Sequence, residues 1–338
     1  GITFNVGENG SGTVVSGDGQ VNDTFTFTQV FAGTMGDDIF NGSDTSSEPD
    51  RREFFLPFQG SDEVYGNGGH DILHYDTGSW HDGIEVDFAK GTASYVAKFS
   101  GIEEVRGSPG DDVITAEGYE TGIFVRGRNG NDVITGSNSD DTIHGGEGDD
   151  NINGGSGDDT LNGSFGNNTI NGGEGDDKIY GGTGDDIIDG GSGDDDIYGS
   201  SGNDIIHGRG GVNEINGADG NDTIYVGGGS THINGGVGDD VIYGSPQDDE
   251  DIDGDEGDDT IYGGDGDDEL DGDEGDDTIY GENGNDILDG GDGNDILDGG
   301  AGDDKIYGGA GDDTIIQSGS GTQLYDGGEG TDTYKLIP

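Results

Sequence analysis

The sequence predicts an all-β fold, a two-sheeted parallel β-roll of solenoid type, on three observations: a strict nine-residue period, one bulky aliphatic at a fixed place in each period, and glycines at three other places. From Gly127 to Lys335 the phrase G-G-x-G-x-D-x-U-x, with U the aliphatic, recurs in register, as in GGEGDDNIN at Gly145–Asn153, GGSGDDTLN at Gly154–Asn162 and GGEGDDKIY at Gly172–Tyr180. Glycines at the first, second and fourth places permit positive φ and close backbone approach, so residues one to six of a phrase read as a turn and the last three as a strand. Alternation along the strand sends the eighth residue inward and the seventh and ninth outward. The eighth place holds Ile152, Leu161, Ile170, Ile179, Ile188, Ile197, Ile206, Ile215 and so on to Leu324. One aliphatic per phrase is too thin a core for a phrase to fold alone, so two phrases make a coil and the coils stack.

The sixth place is aspartate in most phrases. It is filled by Asp132, Asp141, Asp150, Asp159, Asp177, Asp186, Asp195, Asp204, Asp222, Asp240, Asp259, Asp268, Asp277, Asp286, Asp295, Asp304 and Asp313, and by Asp112 ahead of the regular tract. Stacking puts these carboxylates in columns at the strand spacing of about 4.8 Å, where like charges repel unless a cation lies between them. Hard oxygen ligands on a flexible turn suit Ca²⁺ better than Zn²⁺ or Mg²⁺, so the columns predict multiple calcium ions. A merely solvated acidic face would not keep one register through so many copies.

The charge balance points the same way. With 76 Asp plus Glu against 11 Lys plus Arg, a net charge of -65 and 26% hydrophobic residues, composition alone describes a disordered chain. The period and bound divalent ions offset this, so the chain is expected to be expanded without calcium and folded with it. There are no cysteines, no run of about 20 apolar residues and no signal-peptide pattern, which argues against disulfides and a membrane span. The acidic surface disfavours nucleic acid and anionic membranes as partners. Opening on Gly1 in strand-like sequence, the chain reads as part of something longer.

Three regions follow in order. Residues 1–32 read as alternating strands with glycine-rich turns at Gly7–Gly12 and Gly17–Gly19, a β segment or cap. Residues 33–126 read as a degenerate, interrupted solenoid. Its phrase at Gly33–Asn41 places Asp38 and Phe40, Ser43–Phe58 reads as a surface excursion, Gly66–His74 places Asp71 and Leu73, and GIEVDF and GTASYVAKF read as wider coils. Residues 127–335 form the regular roll, closing on Asp332 and Tyr334.

These phrases resemble the RTX (repeats-in-toxin) family, whose haemolysin-type calcium-binding nonapeptide they match over Gly127–Lys335 and, patchily, over Gly33–Arg126. The resemblance implies a parallel β-roll in which the sixth-place Asp and backbone carbonyls of the glycine turns hold Ca²⁺ between coils. It also implies export of the unfolded chain by type I secretion and folding outside the cell, with a secretion signal C-terminal to the repeats that is either absent here or beyond Pro338. RTX repeats accompany toxins, adhesins and several enzymes, so the family fixes the module and not the effector.

No catalytic constellation emerges. His70-Asp71-Ile72-Leu73-His74 approaches H-E-x-x-H but carries Asp for Glu and lies in a roll phrase, where a spacing of four is strand geometry. No G-x-S-x-G nucleophile elbow occurs. The run Asp249-x-Asp251-x-Asp253-Gly254 matches half an EF-hand until the twelfth place, which is Thr260, and reads instead as a phrase with one inserted residue. The turns lack the aligned threonines of an ice-binding roll. The expected function is a non-enzymatic, extracellular calcium-binding module, a spacer or folding and secretion domain of an adhesin-like protein; the alternative is the C-terminal accessory of a secreted hydrolase or lyase.

Assigning alternate phrases to alternate sheets yields two further expectations. Tyr225, Tyr243, Tyr262 and Tyr280 form a ladder on one face that strengthens the sheet and docks a saccharide or a neighbouring domain. The sixth places of three phrases on one flank are Asn213, Thr231 and Asp249 or Glu250, with Val226 replacing a turn glycine, so calcium binding is expected to lapse near Val226–Thr231 while Asp204, Asp222, Asp240 and Asp259 on the other flank remain intact. Asn168, alone in its column, is expected to weaken its two sites without abolishing them.

Overall fold

A computed structural model describes residues 2–6, 11–16, 21–26, 30–42, 52–57, 60–75, 83–228, 230–247 and 251–337. The expected turns at Gly7–Gly12 and Gly17–Gly19 lie largely outside these residues, as do most of the Ser43–Phe58 excursion and both Asp249 and Glu250. The described residues form strands and turns without a helix, and the strands stack in parallel as a β-solenoid, the predicted roll. Two compact units divide the chain at Ser156 and Gly157.

The second unit shows the repeat at its most regular. One sheet carries Thr169–Glu174, Ile187–Ser192, Ile205–His207, Thr223–Tyr225 and Val241–Tyr243 in parallel, and the other Thr160–Phe165, Lys178–Thr183, Asp196–Ser201, Asn213–Asp219 and Ser230–Val237. Ile170 pairs with Ile188, Ile206 with Ile224 and Ile242 with Ile261, so the inner row repeats at one strand step. All are at most 1% exposed. Burying such a side chain contributes roughly 1.5–3 kcal/mol, and the stack makes a core from residues too sparse for any single coil.

Strands extend beyond the three residues expected. Thr160–Phe165 covers the seventh place through the third place of the following phrase, because the glycine pair continues the parallel ladder: Ser164 pairs with Gly182 and Phe165 with Thr183. The glycines divide their duties. In Gly172–Tyr180, Gly173 and Gly175 have φ of 121° and 128°, which an L side chain rarely adopts. Gly172 has no positive φ; a Cβ there would lie 2.3 Å from Asp177 Oδ2 and 2.3 Å from the Gly190 carbonyl.

In the first unit, Ile2–Val6, Ser11–Ser16 and Val21–Thr26 pair antiparallel, and Ile2–Val6 joins Ile39–Asn41 in parallel. The excursion expected at Ser43–Phe58 is corrected over its described end: Arg52–Leu56 is a strand in the solenoid, paired with His70–His74, and Phe55 is fully buried in the eighth-place row. Aromatic rings had hidden that coil from an aliphatic template. GIEVDF does enter the roll, with Val86 against Ile114, whereas Thr92–Ala93 forms an antiparallel excursion between Glu85–Asp87 and Val96–Ser100. At the far end of the second unit Leu324 is not at the eighth place: it pairs with Lys305 and is 58% exposed, and Tyr325 stands opposite Ile306.

Candidate metal centre

The strand that buries its eighth residue also fixes the sixth. Two residues earlier on the same alternation, the sixth-place side chain is drawn inward at the mouth of the turn, and every one of the predicted aspartates, from Asp112 to Asp313, is at least 97% buried. Each uses one oxygen to reach the preceding coil. The Asp177 N–H donates to Asp195 Oδ1 at 3.0 Å, Asp204 N–H to Asp222 Oδ1 at 2.7 Å, Asp222 N–H to Asp240 Oδ1 at 2.6 Å and Asp277 N–H to Asp295 Oδ1 at 2.9 Å. In the first unit Asp112 and Asp132 donate likewise to Asp132 and Asp150.

In most of them the second oxygen is left over, whereas in Asp112, Asp141 and Asp304 it accepts from Ser108 N–H, Ser137 N–H and Gln323 Nε2. Oδ2 of Asp132, Asp177, Asp186, Asp195, Asp204, Asp222, Asp240, Asp259, Asp277, Asp286, Asp295 and Asp313 is buried without a hydrogen-bond partner. Burial, the largest cause, pushes Asp132 up to about 8, Asp177, Asp186, Asp240, Asp259, Asp277 and Asp286 to about 7, and Asp204 and Asp222 to about 6. Backbone N–H bonds oppose the shift, and for pairs such as Asp222 and Asp240 the neighbouring carboxylate adds to it. Such a column is costly as it stands. Desolvated carboxylate oxygens beside carbonyls are the donor set a hard divalent cation takes, so the residues fit Ca²⁺.

Two parts of the centre escaped the sequence reading. The fifth place, written as x, is Asp or Asn in most phrases, and its exposed side chain accepts from the following coil, opposite in sense to the sixth: Asp176 N–H donates to Asp158 Oδ1, Asp194 N–H to Asp176 Oδ1 and Asn221 N–H to Asn203 Oδ1. The DD and ND pairs were a visible signal. The acid column also continues through the degenerate unit, where glutamate replaces aspartate: Glu53 pairs with Asp71, and Asp71 N–H donates to Glu103 Oε2 at 2.9 Å. Asp71, whose carboxyl oxygens are buried and unpartnered, is pushed up to about 8 by burial and by Glu53 and Glu103. Likewise Asp38 N–H donates to Asp62 Oδ1.

The nonapeptide model of the RTX calcium-binding repeat matches residues 59–79, 99–118, 126–161, 162–197, 189–224, 198–233, 225–250, 247–279 and 280–315, more than half of the chain. The chain belongs to the RTX calcium-binding repeat family. Calcium binding is what the family implies for these turns. No curated protein matches the chain.

Within this RTX roll the flank where calcium binding is expected to lapse lacks an aspartate at one of its sixth places. Asn213 takes the aspartate's place, accepting from Asp195 N–H at 3.0 Å, but its Nδ2 is buried without a partner and is a donor, unable to ligate. Val212 before it offers no acceptor, and Val226 is fully buried. The Thr231 side chain lies outside the described residues. Opposite, Asp204, Asp222, Asp240 and Asp259 run unbroken, even across the inserted residue. Asn168 keeps the bond to Asp186 and turns its amide to the Gly166 and Gly181 carbonyls. His70 and His74 lie on a strand, His70 against Glu104 Oε2 and His74 edge-on to Phe54, so they form no helical metal pair.

The tyrosines stack as predicted and the row is longer: His207, Tyr225, Tyr243, Tyr262 and Tyr280 lie with centroids 4.7–5.1 Å apart. Register shows where the row stops, because Tyr280 is followed by Asp298.

Proposed function

We propose that this RTX roll is an extracellular, non-enzymatic module that folds on binding Ca²⁺ and serves as a spacer or folding domain of an adhesin-like protein. The observation that carries this reading is the columns of buried, unpartnered carboxylate oxygens repeated at every second phrase. The ions would be held by Asp112, Asp132, Asp141, Asp150, Asp159, Asp177, Asp186, Asp195, Asp204, Asp222, Asp240, Asp259, Asp268, Asp277, Asp286, Asp295, Asp304 and Asp313. Bound Ca²⁺ supplies the positive charge that lets these carboxylates stay ionised inside the turns. The fifth and sixth residues hold adjacent coils together, and the eighth closes the core behind them.

A net charge of -65 supports a chain that stays expanded where calcium is scarce, which suits type I secretion as the family's usual route. On the tyrosine face Tyr225 and Tyr243 are 39% and 38% exposed; a saccharide or neighbouring domain is best accommodated where the row ends, at a cavity of about 380 Å³ lined by Tyr280, Glu282, Asn283 and Asp298. Far-UV circular dichroism during calcium titration, with bound ions counted by atomic emission, tests the reading. Strand signal should appear with calcium uptake; a calcium-free chain at neutral pH already rich in strand would overturn it.

A further inference from the structure

Among the described residues, one group of ligating side chains converges away from the acid columns, on the outer face of the second unit. It consists of His232, Asp251 and Asp253. Ile233 pairs with Ile252 and Asn234 with Asp253, so His232 and Asp251, each one residue earlier, stand side by side on adjacent coils. Asp253 lies two residues beyond Asp251 and returns to the same face. His232 Nδ1 is 2.9 Å from Asp251 Oδ2, and the ligand atoms of all three residues lie within 4.8 Å of one another. Asp251 and Asp253 belong to the broken EF-hand run of the sequence. The strand separates them from a calcium loop and sets them against an imidazole from the coil before.

We propose that His232, Asp251 and Asp253 form a binding site for a transition-metal dication of the Zn²⁺ type, distinct from the calcium columns. The donor set decides the metal. Calcium takes oxygen ligands, and an imidazole nitrogen in the set works against it. Zinc takes histidine nitrogen and carboxylate oxygen at about 2.0–2.2 Å in a tetrahedron, which sets donors about 3.4 Å from one another, so the His232–Asp251 pair has to open from 2.9 Å as an ion enters between the three groups, a rotation of partly exposed side chains. The fourth position is left to water. Glu214, which pairs with His232 on its other side, and Asp271, which pairs with Asp253, add negative potential without supplying nitrogen. The competing account is an ordinary ion pair between a protonated His232 and Asp251, which needs no metal.

The test uses the full, untagged chain saturated with Ca²⁺ and titrated with Zn²⁺, by calorimetry and by ¹⁵N spectra of the histidine rings. We expect zinc uptake that persists in excess calcium, a large shift of the His232 ring nitrogen signal among the 6 histidines, and at least a tenfold loss of zinc affinity in His232→Ala and Asp251→Asn. The calcium-dependent circular dichroism should be unchanged in both variants. His232→Asp, an all-oxygen set, should lose the preference for zinc over calcium. Zinc uptake undiminished in His232→Ala, zinc displaced by calcium in the wild-type chain, or a His232 ring signal unmoved by zinc would each overturn the proposal. The ring signal needs no variant, so a folding failure in either variant does not shield it.

Discussion

At Gly217 the space for a side chain is already taken: a Cβ would lie 2.3 Å from Asp222 Oδ2 and 2.4 Å from the Gly235 carbonyl. Gly217→Ala should therefore destabilise the calcium-loaded roll by about 1–3 kcal/mol, read from chemical denaturation, with reduced calcium affinity because Asp222 must move. The second place is different in kind, since Ser164 and Ala218 occupy it at φ of 79° and 78°, and alanine there should be tolerated better. Asn213 is the complementary case. Its buried, unpartnered amide nitrogen stands where neighbouring coils present a carboxylate oxygen, so Asn213→Asp should raise calcium uptake on that flank, and anomalous scattering from calcium should show density near residue 213 that the parent chain lacks. Strong calcium peaks on both sides of Thr231 in the parent chain would show that the flank is not weak.

One coil is held by one inward aliphatic per sheet and by the row it joins. Ile242→Ala opens a cavity between Ile224 and Ile261 and should cost about 2–5 kcal/mol in calcium. Tyr243→Ser with Tyr262→Ser removes the middle of the ring stack, and each lost contact should cost about 0.5–1.5 kcal/mol by double-mutant cycle while calcium-induced folding survives. This contrast explains what was legible in the sequence. Wherever the eighth place is aliphatic and the sixth is Asp, period alone located the strand, the inner row and the acid column. Where Phe55 replaced the aliphatic and Glu53 the aspartate, the same coil read as an excursion, because the template encoded side-chain identity and the fold requires only burial and a carboxylate. The fifth place was missed for another reason: its role lies in a bond to a coil 18 residues away, which no inspection of a single phrase displays. The cluster of His232 with Asp251 was hidden by the same distance.

For each unit as a whole, pH should act in opposite directions with and without calcium. The column aspartates have folded values raised from 3.8 to about 6 or 7, as at Asp222 and Asp240, so in the metal-free state the folded form binds more protons than the unfolded one across that window. In chelator, stability should be greatest below about pH 4 and fall as pH rises toward 7. In calcium the sign reverses, since protons compete with the ion for the same oxygens and acidification through about pH 6 should release it. Thermal unfolding scanned over pH in the two conditions checks both limbs; parallel slopes would exclude the columns as the linked groups. The opposed stitches of the fifth and sixth places bear on how such genes change length. Each coil reads its neighbour at two adjacent residues, one accepting forward and one backward, at a step of 18. A recombination event that duplicates or deletes 18 residues leaves every partner in place. An event of half that size preserves the phrase yet carries all downstream residues to the opposite sheet, so a tyrosine row begun on one face would resume on the other. Selection for an unbroken row therefore counts copies in pairs.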